Sequence, residues 1–449
     1  MAPITLFFGA NSSGKSSIGQ FLMMLKQTVE SSDRKAVFYP GGGTSAVQLG
    51  SYQEMVFHRD PTNTIAFEYQ WDLTKTLTIK DPMSRDSYNG KVLSFSAEVG
   101  LPTTDQHSLS VNRLKYVLGN DGDTVLSIGM KRRTDAKDKY EVDAETYQLK
   151  KNQGRPWYRG TPVRFYGFSD EVVADHQNAD FVQELNLRHE HLFHSLFYLG
   201  PLRTKPERLY SWTGSEPESV RYSGESTVAA ILAARSRRIS LGYKRPARPF
   251  EEILALKLKE MDLIEEFKVN PISKRRQEYE VKVRTKGSED WVDLPDVGFG
   301  VSQVLPVLVQ CFFAPHDSII LMEQPELHLH PSAQSALADV MIDVIKSRED
   351  SRPRNLQIII ETHSEHFLRR LQRRIAESII PPKDVSVYFA DISTIPAKLE
   401  PLEIDLFGNI LNWPDNFFGD EMGDITAQAK AAMEKRISQG TGGRDAADE

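Results

Sequence analysis

The residues best equipped for chemistry stand near the start of this 449-residue chain, where Gly9-Ala10-Asn11-Ser12-Ser13-Gly14-Lys15-Ser16 follows the spacing G-x-x-x-x-G-K-S. The run Pro3–Phe8 ahead of it reads as a short buried strand, and Ile18, Phe21, Leu22 and Leu25 behind it recur at helical spacing. Gly9 and Gly14 let the backbone curl until its N–H groups face inward, and the following helix adds the positive end of its dipole. Such a loop holds phosphate oxygens. Asn11, Ser12, Ser13 and Ser17 belong to the cradle, Lys15 is placed to neutralise β- and γ-phosphate charge, and the Ser16 hydroxyl to ligate Mg2+. The chemistry is that of a nucleoside triphosphate with magnesium, and the loop alone does not separate kinases, GTPases, AAA+ machines and ABC-type ATPases.

Three further constellations narrow the class. Ser318–Met322 is an apolar strand running into Glu323-Gln324-Pro325-Glu326-Leu327-His328-Leu329-His330-Pro331, and an acidic residue at such a strand end is where a magnesium-holding carboxylate sits. Ahead of it, Asp296-Val297-Gly298-Phe299-Gly300-Val301-Ser302-Gln303 is a Gly-rich turn opening an apolar helix, a geometry suited to an anion. Leu356–Ile360 is another apolar strand, ending in Glu361-Thr362-His363-Ser364, which sets His363 at a strand tip beside bound nucleotide. Each has an ordinary reading alone: a turn, a surface histidine pair at His328 and His330, a core histidine. In the order phosphate loop, signature turn, carboxylate strand, His-tipped strand, they predict an α/β fold, a P-loop NTPase head of ABC type with a mostly parallel central sheet.

At these motifs the chain resembles the ABC-type AAA ATPases of the OLD and SMC-like branch. It is most similar to stand-alone bacterial proteins carrying D-V-G-F-G-V-S-Q-V-L-P, E-Q-P-E-L-H-L-H-P and E-T-H-S-E-H, members of which occur in antiphage defence. The resemblance spans residues 1–70 and 190–420. It implies a homodimer closing around two ATP, with Ser302 and Gln303 of one copy meeting the γ-phosphate held by Lys15 of the other. It also implies a Gly-Pro-x-Arg element in which Arg203 reaches nucleotide or a partner subunit, and a separately encoded effector, a nuclease. OLD nucleases continue into a Toprim domain, which the segment after the last strand is too short to hold, so this chain is not expected to be the nuclease itself. Relatives usually carry one or two strands ahead of the P-loop strand, with an adenine contact, so the start of the chain is expected to lack part of the sheet. The competing readings are a RecF- or SMC-like ATPase acting on DNA and a non-hydrolysing, ATP-dependent scaffold.

One departure bears on mechanism. Family members mostly end the carboxylate strand in Asp-Glu, where the second residue is the general base, and here the pair is Glu323-Gln324. An amide cannot take a proton, so Gln324 orients water at most, and Glu326 or His363 would have to substitute. The expectation is slow ATP hydrolysis. Gln53 is a candidate contact to Mg2+ or the lytic water, with an exposed strand-edge residue as the alternative.

Lys15 and Glu323 stand so far apart that an insertion must split the head, and no sustained heptad marks it as a coiled coil. The expected divisions are an N-terminal lobe over 1–75, a β-rich insertion over 76–190 and a helical and hairpin region over 191–295. A C-terminal lobe over 296–405 and a docking turn, helix and tail over 406–449 follow. Expected elements include a strand pair at Val47–Val56 and Thr64–Leu73, a helix Asp180–Leu199 carrying His189, His191 and His194, helices Val228–Arg235 and Phe250–Phe267, and a hairpin of Glu278–Val283 with Trp291–Leu294. The aromatics around Trp413 to Phe418 are expected to pack on the ATPase lobe.

Composition sets the outer bounds. With 40% hydrophobic and 26% charged residues the chain is globular, and 55 basic against 62 acidic residues give −7, which argues against a nucleic-acid coat. Local basic clusters remain at Lys131–Arg133, Arg235–Arg238, Lys274–Arg276 and Arg369–Arg374, the last able to present one face to DNA. The single cysteine, Cys311, lies in an apolar stretch and excludes an internal disulfide. No apolar run reaches membrane-spanning length, so a cytoplasmic protein without membrane contact is expected.

Overall fold

The computed structural model describes residues 1–102, 108–120, 122–133, 139–154, 160–273, 276–414, 417 and 426–435. Lys274, Arg275, Phe418 and the expected tail lie outside the described residues, as do both ends of the expected helix Glu421–Gln439.

Strands rich in Ile, Leu and Phe on both faces are suited to the middle of a parallel sheet. Six strands form it in the order Lys398–Leu402, Val385–Asp391, Ile4–Gly9, Gln357–Glu361, Ile319–Glu323, Leu196–Leu199. All neighbours are parallel except the first pair. Alternation sends Ile4, Leu6, Phe8, Ile320, Met322, Ile358 and Ile360 into one core and Phe7, Leu321 and Ile359 into another. The chain has a P-loop NTPase fold, mixed α/β around a mostly parallel sheet.

Helix Lys15–Glu30 covers the second face with Met23, Met24 and Leu25. A Cβ on Gly19 would lie 3.3 Å from Leu321 Cδ2, so the helix packs closely on the carboxylate strand there and an added methyl would require Leu321 to give by a few tenths of an ångström. The first face is covered by helices Phe299–Phe313, Pro331–Lys346 and Glu365–Ala376. Phe299–Phe313 is buried continuously from Val301 onward, as its all-round apolar sequence requires. Cys311 sits inside it, its thiol pushed up to about 12 by burial, which keeps it from acting as a thiolate nucleophile.

The insertion is a five-stranded antiparallel meander of Ile65–Lys80, Ser87–Gly100, Ser110–Asn120, Asp123–Arg132 and Tyr140–Asp143, paired in sequence order. Its Phe95, Leu114, Tyr116 and Ile128 join the core beneath helix Lys15–Glu30. His189 is a satisfied core residue there: its ring nitrogens meet the Tyr69 and Tyr116 hydroxyls, each at 2.8 Å.

Several expected elements differ. Val47–Val56 is no strand: it is irregular up to the helical turn Tyr52–Met55, and Ile65–Lys80 pairs instead with Ser87–Gly100. The helix expected over Asp180–Leu199 stops at His194, and Leu196–Leu199 becomes the edge strand of the central sheet. Phe250–Phe267 is a helix only to Glu260, because the chain turns through Met261–Glu265 into strand Glu266–Pro271. The hairpin forms, with Val283 opposite Val292. Among the described residues, no helix is long and apolar enough to cross a membrane.

Candidate functional site

Three parallel strands end side by side, and their register aligns Phe7, Glu361 and Glu323 in one row. Beyond this row the chain turns into the phosphate loop, the Gln324–His330 turn and the Thr362–Ser364 turn. A cleft of about 380 Å³ opens there, lined by Asn11, Ser12, Ser13, Gly14, Lys15, Ser16, Ser17, Gln324, Glu361 and His363.

The loop geometry needs its glycines. Gly9 has φ 147°, and a Cβ on it would fall 2.8 Å from Ser13 Oγ and 2.9 Å from the Ala390 carbonyl. Gly14 caps helix Lys15–Glu30 in the left-handed region at φ 87°. Lys15 is buried and donates from Nζ to the Gly9 and Ala10 carbonyls at 3.0 and 2.7 Å, which arches the loop over its own ammonium. Burial lowers its pKa, and the Glu361 carboxylate partly offsets this.

On the acidic side, Glu323 accepts the Tyr198 hydroxyl at 2.8 Å. Burial raises the Glu323 pKa, the Tyr198 hydrogen bond opposes the rise and Glu361 adds to it. The Ser16 hydroxyl donates to Glu361 Oε1 at 2.9 Å. Gln324 stands at φ 44°, a left-handed conformation unusual for a side-chain-bearing residue, and its N–H donates to the Glu361 carbonyl at 2.8 Å. The turn thus starts in the cleft. His363 lines the same cleft, its pKa lowered by burial and by Lys15.

Glu323 ends its strand one residue before Gln324 and is not itself among the lining residues, and the remaining expected residues also stand outside the lining. Glu326 is buried, and its Oε1 accepts the Thr362 hydroxyl at 2.7 Å and the His363 N–H at 3.0 Å. It braces the His363 turn and does not line the cleft. Arg203 is also buried, donating to the Glu323 and Gln324 carbonyls at 3.3 and 3.2 Å, with its pKa lowered to about 10 by burial. It holds the backbone of the Glu323–Gln324 tip. Gln53 lies on an exposed face of its helical turn, outside the lining, because the segment that was to carry it to the cleft is not a strand. Ser302 and Gln303 are buried at the start of helix Phe299–Phe313, with Ser302 Oγ bonded to the Phe299 carbonyl, and neither lines this cleft. Glu361 was not singled out from the sequence. The signal was its position: an acid ending an apolar strand, as Glu323 does.

The expected DNA-facing arginines are committed within the chain. Arg370 and Arg374 pair with Asp339, Arg373 and Arg374 with Glu377, and Arg369 with Glu365.

A phosphate loop, a neighbouring strand tip bearing an acid and a histidine turn between them meet at one cleft, and residues 4–369 match the AAA-domain family whose description names the AbiEii toxin and type IV toxin–antitoxin systems. The chain belongs to this family. Residues 380–428 match a second family, described as a protein of unknown function. No curated protein matches the chain. Similar solved structures include an SMC head bound to the C-winged helix domain of ScpA (9% identity, 90% of this chain and 91% of that one, TM-score 0.36). Others are the SMC head domain of Thermotoga maritima (10%, 89% and 90%, TM-score 0.35) and an SMC head with extended coiled coil bound to a ScpA domain derived from Pyrococcus furiosus (10%, 89% and 90%, TM-score 0.33).

Proposed function

We propose that the chain binds ATP with Mg2+ in the cleft, dimerises around it, and uses the ATP-bound state to control a separately encoded effector in bacterial antiphage defence. The observation that carries the reading is the lining itself: an arched phosphate loop with Lys15 faces Gln324, Glu361 and His363 across one cleft. Ser16 and Glu323 are hard oxygen donors of the kind magnesium takes, and the ion would neutralise phosphate charge. Gly298, Ser302 and Gln303 lie at the N-terminal end of a helix outside this cleft, and Phe299 beside them is 65% exposed. In this reading they complete the site of a second copy. The toxin–antitoxin wording of the family description agrees with a two-component module. Its effector is read as a nuclease.

Hydrolysis in this reading is slow, because the residue after Glu323 is an amide. The same observation favours a second reading, an ATP-dependent scaffold that does not hydrolyse, since Gln324 lines the cleft where a base would stand. Direct action on DNA has less support, the Arg369–Arg374 charges being paired internally.

The test measures ATP affinity and ATP-dependent dimerisation by light scattering for the wild type, Lys15→Ala and Ser302→Arg. The expected result is loss of both in Lys15→Ala, and retained ATP binding without dimerisation in Ser302→Arg. ATP binding unchanged by Lys15→Ala would sink the proposal. Phage plating with and without the neighbouring gene reads the defence arm, and protection by this chain alone would remove the separate effector.

A further inference from the structure

We propose that Glu361 is a second carboxylate ligand of the divalent cation, so that the cleft accepts the triphosphate only together with its metal. The inference rests on the reading of the cleft as an ATP site and adds a residue to it.

The sheet supplies the geometry. Glu361 and Glu323 are register partners on adjacent parallel strands, and Gln324 N–H to Glu361 carbonyl continues the pairing past the last row. Residues in one row of a sheet share a face, so both carboxylates stand on the side of helix Lys15–Glu30, whose first turn carries Ser16. The Ser16 hydroxyl already meets Glu361 Oε1 at 2.9 Å. Glu323 is held by Tyr198 at 2.8 Å. Two carboxylates and a hydroxyl are the hard oxygens magnesium takes, phosphate oxygens and water completing six-fold coordination.

Charge balance supplies the rest. Among the described residues, no lysine or arginine reaches Glu361 within ion-pair distance; Lys15 Nζ turns instead to the Gly9 and Ala10 carbonyls. Glu361 is also the carboxylate among the residues lining the cleft. Its negative charge therefore faces the phosphates bonded only to a neutral hydroxyl, with the Lys15 ammonium close enough to feel it but not paired with it. Without a metal it repels the triphosphate, and with one it joins the coordination. The two states differ in sign, which a structural role for Glu361 would not reproduce.

The experiment is calorimetric ATP binding to the full chain in Mg2+ and in EDTA, for wild type, Glu361→Gln and Glu361→Asp. The Gln variant keeps an acceptor for Ser16 while losing the charge. Wild type is expected to bind far better with Mg2+. Glu361→Gln is expected to bind metal-free ATP more tightly than wild type and Mg2+-ATP less tightly, shrinking the metal enhancement by about tenfold or more. Glu361→Asp is expected to retain the enhancement. Equal weakening of both states, or an unchanged ratio, overturns the proposal. Mn2+ binding without nucleotide, followed by electron paramagnetic resonance, reads the seat separately: Glu361→Gln is expected to lose affinity at least about tenfold, and unchanged Mn2+ affinity overturns it. A wild type that holds Mn2+ through Glu361 but takes no ATP refutes the nucleotide reading alone.

Discussion

The carboxylate of Glu326 accepts the backbone N–H of His363 at 3.0 Å. That bond, with the 2.7 Å bond from the Thr362 hydroxyl, ties the turn after one strand to the turn after its neighbour. Glu326→Ala leaves a buried hydroxyl and a half-buried N–H without their acceptor and is expected to cost roughly 1–3 kcal/mol, read as a lowered Tm. Glu326→Gln retains an amide oxygen and is expected to keep ATP turnover near the wild-type rate. A large loss of turnover in Glu326→Gln at unchanged Tm would make Glu326 the general base after all.

Gln324 lines the cleft at φ 44°, and glutamate adopts that backbone no less readily. Gln324→Glu therefore supplies a base without rebuilding the turn. A positioned base contributes about a hundredfold or more. Single-turnover phosphate release is expected to accelerate by that order, and an unchanged rate would remove position 324 from the proton path.

His189 is fully buried between two tyrosine hydroxyls, and burial holds its pKa well below the usual 6.5. The folded protein keeps it neutral while the unfolded chain protonates it below that value. Stability from this group is thus present above pH 6.5 and falls as pH drops, by up to about 1.4 kcal/mol per pH unit. Urea midpoints from neutral to acidic pH are expected to fall more steeply for wild type than for His189→Gln, and parallel slopes would contradict the assignment.

Gly408 stands at φ 79° with its missing Cβ aimed 2.2 Å from the Gln372 carbonyl, and Gln372 Nε2 donates to the Gly408 carbonyl at 2.8 Å. Nearby, Phe417 packs 5.1 Å from both Phe8 and Phe389. Gly408→Ala is expected to cost about 1–3 kcal/mol and to quicken proteolysis after residue 400. Cleavage at the wild-type rate would show that this turn does not anchor the segment.

What could be read from the sequence was whatever depends on a few consecutive residues. The phosphate loop needs its glycines, lysine and serine in one stretch, so the cleft's basic half was legible. The strands ending at Glu323 and Glu361 announced themselves as apolar runs of strand length. Leu196–Leu199 did not, because it follows an apolar helix face after a single residue, Ser195, and continues its hydrophobic pattern. The partnership of Ser16 with Glu361 lay out of reach: it depends on strand register, which sequence spacing does not reveal. The same holds for Glu326 and Arg203, whose acidic and basic types suggested contact with ligand while their burial turns them toward backbone.

The strand Ile4–Gly9 finds its partners only at Gln357–Glu361 and Val385–Asp391. At about 5–20 residues per second of synthesis, this apolar hexapeptide waits many seconds before either neighbour leaves the ribosome. Its loop-closure entropy comes due late, and folding is correspondingly slow. Meanwhile an unpaired, sticky segment is exposed on a nascent chain. Production of active protein should therefore depend on chaperones that shield this strand, and the phosphate loop, translated long before its neighbours, is among the last parts to take shape.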